Sequence, residues 1–204
     1  WLVYMLVPVA SIALQNVEQL QGVTLKSKHD ERTGLANRRQ FEERLRLHLL
    51  EHAQHRQPVS LILLDIDMFK TVNDIFGHQG GDEVLKEVAE AARNTVREID
   101  LCARYGGEEL AILLPQTNLA GASRTAERLR EAISLLRVTP PSGGAPITVT
   151  ASFGVASYTE SVKAGDLLFP AADMALYQAK SAGRNCVRQA MSRSALGKGG
   201  TGAA

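Results

Sequence analysis

The stretch 104-RYGGEELAILL-114 places two glycines and two glutamates directly before an apolar run. Gly106-Gly107 favours a two-residue hairpin turn, in which both positions take a positive φ. The hairpin strands are then expected at residues 100 to 105 and 108 to 114. The turn does not explain Glu108 and Glu109, because strands contain little Glu and adjacent like charges repel. These two acids therefore indicate a function at the turn.

A second apolar run, 59-VSLILLDID-67, ends in Asp65 and Asp67. A continuous apolar run of this length predicts a strand buried on both faces. If this strand neighbours the hairpin, several carboxylates converge at one sheet edge, which raises a carboxyl pKa unless a cation is present. Mg²⁺ suits such an edge, because it is usually held by one or two carboxylates plus substrate phosphates. We expect Asp65 and Glu108 to bind metal and Asp67 to be a solvated strand end.

The remaining pattern predicts alternating helices and strands. From residue 59 the predicted order is βαββαβαβ, which indicates an α+β fold with one mainly antiparallel sheet covered by helices. Pro170 is expected at the first position of the last helix and Gly183 at its C-terminal cap. Predicted helices cover residues 38 to 55, 82 to 98 and 118 to 136, and further strands cover 147 to 158 and 185 to 188. The first of these helices is expected to carry Phe41, Leu45, Leu49 and Leu50 on one side.

Composition limits the classes of function. The 204 residues are 45% apolar and 22% charged, which supports a globular core. The net charge of +1 gives no electrostatic case for nucleic-acid binding. The two cysteines, Cys102 and Cys186, lack a metal-binding spacing and are expected to be reduced and structural, in a cytosolic compartment.

The two ends of the chain differ from the middle. Residues 1 to 14 are apolar but shorter than the about 20 residues that span a bilayer. They fit either the end of a transmembrane helix or a helix that packs on an upstream sensor domain. Residues 12 to 29 predict a linker helix that could pair with a copy of itself. We therefore expect an N-terminal segment at 1–29, a catalytic domain at 30–190 and a disordered Gly/Ala-rich tail at 191–204.

Several motifs in order resemble one family. The stretches 65-DIDMFKTVNDIFGHQGGDEVL-85 and 104-RYGGEEL-110 resemble the GGDEF family of diguanylate cyclases, over about residues 28 to 188. Supporting stretches are 30-DERTGLANRR-39, 150-TASFGVA-156, 173-DMALYQAK-180 and 183-GRN-185. The family signature ends in Phe where this chain has Leu110, which we expect to pack in the core under the hairpin. Glu at position 108 is a common variant of the family.

The resemblance implies a reaction and an assembly. Members condense two GTP molecules into cyclic di-GMP and release two pyrophosphates, through attack of one 3′-hydroxyl on the other α-phosphate. Each domain holds one GTP, so the resemblance implies a homodimer as well as a palm-like fold shared with polymerases and nucleotidyl cyclases. It also implies Mg²⁺, with Mn²⁺ as an alternative. The catalytic domain would be cytoplasmic, attached to the inner membrane if residues 1 to 14 come from a transmembrane helix.

The resemblance also implies roles for the acids and glycines. The Asp65 carboxylate, the Ile66 carbonyl oxygen and Glu108 would bind the metal. Glu108 would also help to deprotonate the 3′-hydroxyl, with Glu109 as an accessory, because a metal-bound hydroxyl gives up its proton more easily. Gly106 and Gly107 would let the backbone approach phosphate.

Further residues would bind GTP. Lys70, with the N–H groups of Met68 and Phe69, would hold phosphates. Asp82 would accept from guanine N1–H and N2–H₂, and Asn73 would read the other edge. The remaining candidates are a nucleotide contact, His78, and two cations for the triphosphate, Lys180 and Arg184. Each has a structural alternative: an exposed lysine for Lys70, a helix N-cap for Asp82, a structural or capping histidine for His78, and helix-dipole compensation for Lys180 and Arg184.

The stretch 97-REID-100 matches the RxxD product-inhibition site of the family. Arg97 and Asp100 would bind cyclic di-GMP, with Arg128 as a second arginine. The alternative is an ordinary i,i+3 ion pair at a helix end. At the level of the whole domain, an inactive regulator that binds GTP or cyclic di-GMP and an enzyme that uses ATP or mixed purines stay open. The signature residues favour the active enzyme, and Asp82 favours guanine.

Overall fold

The computed structural model describes residues 28–158 and 160–190. The predictions for the apolar segment, for most of the linker helix and for the tail concern residues 1 to 27 and 191 to 204, outside the described residues. In the part of the chain that is described, no helix is long and apolar enough to cross a membrane.

The core element is a six-stranded sheet with the order β1-β3-β4-β2-β5-β6. The central pairs β3–β4, β4–β2 and β2–β5 are antiparallel, whereas the edge pairs β1–β3 and β5–β6 are parallel. The predicted α+β class with a mainly antiparallel sheet is confirmed, and the sheet is mixed. The strands are β1 Ala36–Asn37, β2 Val59–Ile66, β3 Leu101–Arg104, β4 Glu109–Pro115, β5 Ala151–Tyr158 and β6 Val187–Gln189.

Helices cover both faces of this sheet. They are α1 Arg38–His55, α2 Phe69–Thr95, α3 Leu119–Ser134 and α4 Leu168–Ser181, with a 3₁₀ turn at Gly165–Leu167. The bounds of α1 match the prediction, although Leu50 is 57% exposed rather than on the buried side. The predicted helix start at Asp82 is wrong, because α2 begins at Phe69, has a kink at Gly77, where the backbone is not helical (φ 72°, ψ 172°), and is helical again before Asp82.

Strand β2 lies at the centre of the core. All eight of its residues are buried, which confirms a strand covered on both faces. Ile62, Leu64 and Ile66 pack on one side with residues of α2 and α3, and Leu61 and Leu63 pack on the other with residues of α1 and α4. The family-atypical Leu110 is fully buried in the first of these clusters, as expected.

The glycine turn differs from the prediction. Strand β3 ends at Arg104 and β4 begins at Glu109, so a four-residue loop joins them instead of a two-residue turn. Neither Gly106 nor Gly107 has a positive φ. The loop is closed by the N–H groups of Tyr105 and Gly106, which both donate to the Glu109 carbonyl oxygen. A four-residue loop brings Glu108 out of the strand and into the loop itself.

The last third of the chain also shifts from its predicted bounds. Pro170 is the third residue of α4, because the 3₁₀ turn leads into the helix earlier. Gly183 follows the helix end with φ 107°, which supports its predicted capping role. Strand β5 begins at Ala151 rather than at Ile147, which forms an isolated bridge to Val138.

The cysteines are free thiols in different surroundings. Cys102 is buried in β3, and burial raises its pKa to about 12, so it stays a thiol at neutral pH. Cys186 is partly buried just before β6. These surroundings support the structural interpretation of both residues.

Candidate active site

The end of β2 and the start of β4 bring the predicted acids together. Asp65 is paired with Glu109 across the two antiparallel strands. The Ile66 N–H donates to the Glu108 carbonyl oxygen at 3.3 Å. We call the group Asp65, Glu108, Glu109 and Lys180 the catalytic edge.

A lysine from α4 compensates the buried acid of this edge. Asp65 is 9% exposed, and its Oδ2 lies 2.7 Å from Lys180 Nζ. Burial raises the pKa of Glu108, and the neighbouring charges of Asp65 and Glu109 raise it further, while Lys180 opposes them. The predicted clustering and its effect on a carboxyl pKa are therefore present. Lys180 contacts a carboxylate here, where the sequence analysis expected a triphosphate contact or helix-dipole compensation.

The donor set suits a metal that completes its shell from a substrate. Within residues 28–158 and 160–190, no three His, Cys, Asp or Glu side chains are grouped as a protein-only metal site. Asp65 and Glu108 offer hard carboxylate oxygens, which Mg²⁺ prefers, and Mg²⁺ commonly takes only one or two protein carboxylates. Lys180 compensates the charge of the buried Asp65 carboxylate in this structure.

Arg104 holds the glycine loop in place. Its Nε and Nη2 donate to the carbonyl oxygens of Gly106 and Gly107 at 2.8–3.2 Å, and its Nη1 donates to Asp30. A Cβ at Gly106 would lie 2.6 Å from Glu109 Oε2, so the glycine makes room for that side chain. Gly107 has open space around it. Sequence reasoning missed Arg104, whose partners lie in the loop and at residue 30.

The N-terminus of α2 follows the end of β2, which carries Asp65. Met68 adopts a left-handed conformation with φ 55°, and among the described residues no side chain caps the helix. Lys70 is exposed, whereas the Phe69 side chain is buried, so Phe69 could contact a nucleotide only through its main chain. An uncapped helix N-terminus beside a lysine attracts phosphate.

The two predicted guanine readers lie on α2, on either side of its bend. A Cβ at Gly81 would lie 2.0 Å from Asn73 Oδ1, so the glycine is needed for the amide to occupy its position. Asp82 lies within the helix and forms an ion pair with Arg32, so its predicted N-cap alternative is wrong. His78 is exposed and directly follows the kink at Gly77.

Asp67 is buried rather than solvated, contrary to the prediction. Its carboxylate accepts from Thr150 Oγ1, Ser152 Oγ and the Asn185 N–H at 2.7–3.0 Å. These bonds tie the end of β2 to β5 and to the segment after α4. Arg184 in that segment is exposed with φ 64°. Asp67 thus positions the backbone that carries Arg184.

The RxxD residues meet at the other end of β3. The Arg97 N–H donates to Asp100 Oδ2 at 2.9 Å, while Asp100 Oδ1 is buried without a hydrogen-bond partner among the described residues. Arg128 Nη2 donates to the Thr95 carbonyl oxygen at 2.6 Å. Arg97, Asp100, Arg124 and Arg128 line one cavity of about 100 Å³. We call Arg97 to Asp100 the RxxD turn.

Asp30 organises a turn that sequence reasoning quoted without assigning a role. Its Oδ1 accepts from both the N–H and the hydroxyl of Thr33, and its carboxylate pairs with Arg104. Burial opposes ionisation of Asp30, but these bonds outweigh it and lower its pKa. The Asp-x-x-Thr pattern signals such a turn. Its partner Arg104 is 74 residues away and has no local signal.

Comparison with known proteins agrees with this geometry. The family described as "Diguanylate cyclase, GGDEF domain" matches residues 27–186. Response regulator PleD of Caulobacter vibrioides is 44% identical over 158 residues, 78% of this chain and 35% of PleD. Diguanylate cyclase DgcP of Pseudomonas aeruginosa is 42% identical over 160 residues, 78% of this chain and 23% of DgcP. The chain thus spans about a third or less of either relative.

Solved structures give the same result. The coiled coil and GGDEF domain of DgcB from Caulobacter crescentus, crystallised with c-di-GMP, superposes with a TM-score of 0.77 at 31% identity. The match covers 93% of this chain and 99% of that one. Diguanylate cyclase SiaD from Pseudomonas aeruginosa, in complex with its activator SiaC, gives 0.75 at 38% identity over 92% of this chain and 73% of SiaD. The chain belongs to the GGDEF-domain family of diguanylate cyclases.

Proposed function

We propose that this chain is a Mg²⁺-dependent diguanylate cyclase that condenses two GTP molecules into cyclic di-GMP and releases two pyrophosphates. The observation that carries the proposal is the juxtaposition of Asp65 and Glu108 with the uncapped N-terminus of α2. The same helix carries Asn73 and Asp82. Asp65, the N–H groups at the start of α2, Asn73 and Asp82 thus lie along the segment 65 to 82, and Glu108 joins them from the loop between β3 and β4.

Glu108 is the group best suited to accept the 3′-hydroxyl proton. Its pKa is raised by burial and by the charge of Asp65, and a base works best when its pKa lies nearer the working pH. A metal held by Asp65, the Ile66 carbonyl oxygen and Glu108 would neutralise phosphate charge and acidify the hydroxyl. Glu109, exposed beside Gly106, would assist as an accessory acid.

Phosphate binding would use main chain and cations together. The N–H groups of Met68 and Phe69, with Lys70, would hold the phosphates at the start of α2. Lys180 would leave Asp65 for the triphosphate once a metal neutralises that carboxylate, and Arg184 would join it. The open space at Gly107 supports a close approach of phosphate to the loop.

The proposed reaction requires a homodimer, because each domain would bind one GTP, and the RxxD residues would allow inhibition by the product. One domain would supply one GTP, so catalysis would need a homodimer with two sites face to face. Cyclic di-GMP would inhibit by binding Arg97, Asp100 and Arg128; their shared cavity supports such a site, as does an Asp100 oxygen that has no hydrogen-bond partner in the described part of the chain. An upstream sensor or membrane segment would control the cytoplasmic domain.

The test is product formation by the full chain. Incubation with GTP and Mg²⁺, followed by separation of the nucleotides, should yield cyclic di-GMP from the parent. Glu108→Gln should lower the rate at least about a hundredfold, because it removes the proton acceptor and a metal ligand. Fusion to a dimeric coiled coil separates a monomeric chain from an inactive one. A forced dimer that binds GTP and makes no product would favour the inactive regulator.

A further inference from the structure

We propose that Arg32 is a further guanine-specificity residue, which donates to the O6 atom of the base that Asp82 reads. The inference rests on the proposed function, since it names a residue for the same GTP site. The observation that carries it is the Arg32–Asp82 ion pair, formed between Nη1 and Oδ1. It joins a turn before α1 to the middle of α2.

The turn that carries Arg32 is rigid, although Arg32 itself is exposed. The Asp30 N–H donates to the Leu35 carbonyl oxygen and the Gly34 N–H to the Asp30 carbonyl oxygen, both at 2.8 Å. Thr33 and Leu35 are buried, and Asp30 is tied to Arg104. The Arg32 side chain is 58% exposed on this fixed base. The fold therefore fixes the backbone from which Arg32 reaches Asp82, and the ion pair holds the guanidinium there.

Stability alone gives little reason for this pair. Exposed ion pairs contribute about 0–1 kcal/mol, and Asp82 is also one-third exposed. An arginine beside a base-reading carboxylate has a chemical consequence that a surface pair lacks. The pair with Asp82 uses one of the five N–H donors of a guanidinium, so others can serve a ligand.

The order of groups on guanine assigns the contact. Guanine presents N2–H₂, N1–H and O6 in succession along one edge, and N7 follows O6. A carboxylate that accepts from N2 and N1 has O6 as its immediate neighbour. A guanidinium held against that carboxylate meets an acceptor, as arginine does at guanine O6 in other recognition sites. In adenine the same position bears an N6–H₂ donor, which would oppose the arginine.

The proposal separates Arg32 from the groups that act on phosphate or metal. Lys70, Lys180 and Arg184 would respond to the triphosphate whatever base it carries. Arg32 would respond to the atom at position 6 of the purine. Replacing O6 by sulfur, a weak acceptor, should therefore weaken nucleotide binding as the loss of Arg32 does. With the sulfur analogue, mutation of Arg32 should then cause little further loss of affinity.

The experiment measures nucleotide binding without turnover. Calorimetry would compare GTP and 6-thio-GTP on the full chain carrying Glu108→Gln, alone and combined with Arg32→Leu. We expect Arg32→Leu to weaken GTP binding about tenfold and 6-thio-GTP binding by less than about threefold. Arg46→Leu, an exposed arginine on α1, is the matched control and should leave both affinities unchanged.

Three results would overturn the role of Arg32. Unchanged GTP binding in Arg32→Leu would mean that the arginine does not contact the base, and tighter binding would mean that it competes with guanine for Asp82. Equal losses for both nucleotides would place its effect outside position 6. The two proposals fail separately: a parent chain that binds GTP and makes no cyclic di-GMP as a forced dimer contradicts the cyclase alone, and the O6 comparison still decides Arg32.

Discussion

Strand β3 runs between two groups of charged residues, and the carboxylates of the two groups differ in the partners that they have. At the catalytic edge, the buried Asp65 has a cation at 2.7 Å, supplied by Lys180. At the RxxD turn, Asp100 has one oxygen bonded to the Arg97 N–H and one buried oxygen without a partner among the described residues. Both acids belong to proposed ligand sites. The two sites therefore differ in whether the protein itself pairs the carboxylate.

The difference has a physical consequence for ligand binding. A buried charge is costly unless it is paired, so Lys180 stabilises Asp65 at the catalytic edge. An unpaired buried oxygen keeps its desolvation cost until a ligand supplies a donor. Under the proposed function, the catalytic edge would exchange the Lys180 ammonium for a metal, while the RxxD turn would gain a hydrogen bond from its ligand.

The largest effect should come from moving the helix that delivers Lys180. A Cβ at Gly154 in β5 would lie 2.1 Å from the Ala172 carbonyl oxygen and 2.3 Å from the Leu176 N of α4. Backbone cannot yield as a side chain does, so Gly154→Ala should lower the free energy of unfolding by about 3 kcal/mol. Urea denaturation measures this loss.

Gly107→Ala is the matched control at the glycine loop. Nothing lies within 4 Å of a Cβ there, and the φ angle is not positive. Its unfolding free energy should stay within about 0.5 kcal/mol of the parent. Equal urea midpoints for the two alanine variants would contradict the close packing of α4 on β5.

A smaller effect should come from removing the cation of the catalytic edge. Lys180→Met leaves Asp65 buried without its ammonium, which should cost about 2 kcal/mol, between the values for exposed and fully buried pairs. Saturating Mg²⁺ should restore part of that loss, because the metal would replace the ammonium at Asp65. Urea denaturation with and without Mg²⁺ measures both quantities.

Lys86→Met provides the comparison for this lysine. Lys86 pairs with Glu83 on the exposed side of α2, where an ion pair contributes little. Its loss should be under about 0.5 kcal/mol and independent of Mg²⁺. If Lys180→Met behaved like Lys86→Met, the catalytic edge would not depend on a cation, and its contrast with the RxxD turn would disappear.

The sequence predicted features that depend on neighbouring residues better than features that depend on residues far apart in the chain. A continuous apolar run predicted β2 closely, because burial on both faces leaves such a run. Apolar residues at a 3.6-residue period predicted α1 closely. The motif spacing also brought Asp65 and Glu108 together as expected. The two-residue turn failed, since a glycine pair has the same appearance in a four-residue loop whose φ angles stay negative.

Local sequence patterns could not predict side-chain partners that are far apart in the sequence. Arg104, Asp67 and Arg32 bond to residues on other elements, and only the packed fold brings those elements together. Asp82 was expected to start a helix because the glycines before it resembled a break. The helix instead tolerates Gly80 and Gly81, where Phe76 and Asn73 fill the space of the missing side chains. The helical backbone is interrupted at Gly77 instead.

The smallest effect, at the RxxD turn, depends on pH. Burial raises the pKa of Asp100 above its ordinary 3.8, with the Arg97 N–H and charge opposing. A raised folded-state pKa means that the native state holds the proton more strongly. The stability from that proton is present below pH 3.8 and is lost as the pH rises through the folded-state pKa. Asp100→Asn is neutral throughout and escapes that loss.

The unfolding free energy of Asp100→Asn should therefore improve relative to the parent between pH 3.5 and 7, by less than about 1 kcal/mol because the group is half-exposed. A relative decline over the same range would mean that the folded protein favours the charged form of Asp100 and would contradict the prediction. Cyclic di-GMP at pH 7 should stabilise the parent and leave the variant unchanged, because only the carboxylate accepts the guanine donors fully. Asp100 would then be a charge that the fold leaves incomplete until product binds, in contrast to Asp65, which the fold pairs before substrate binds.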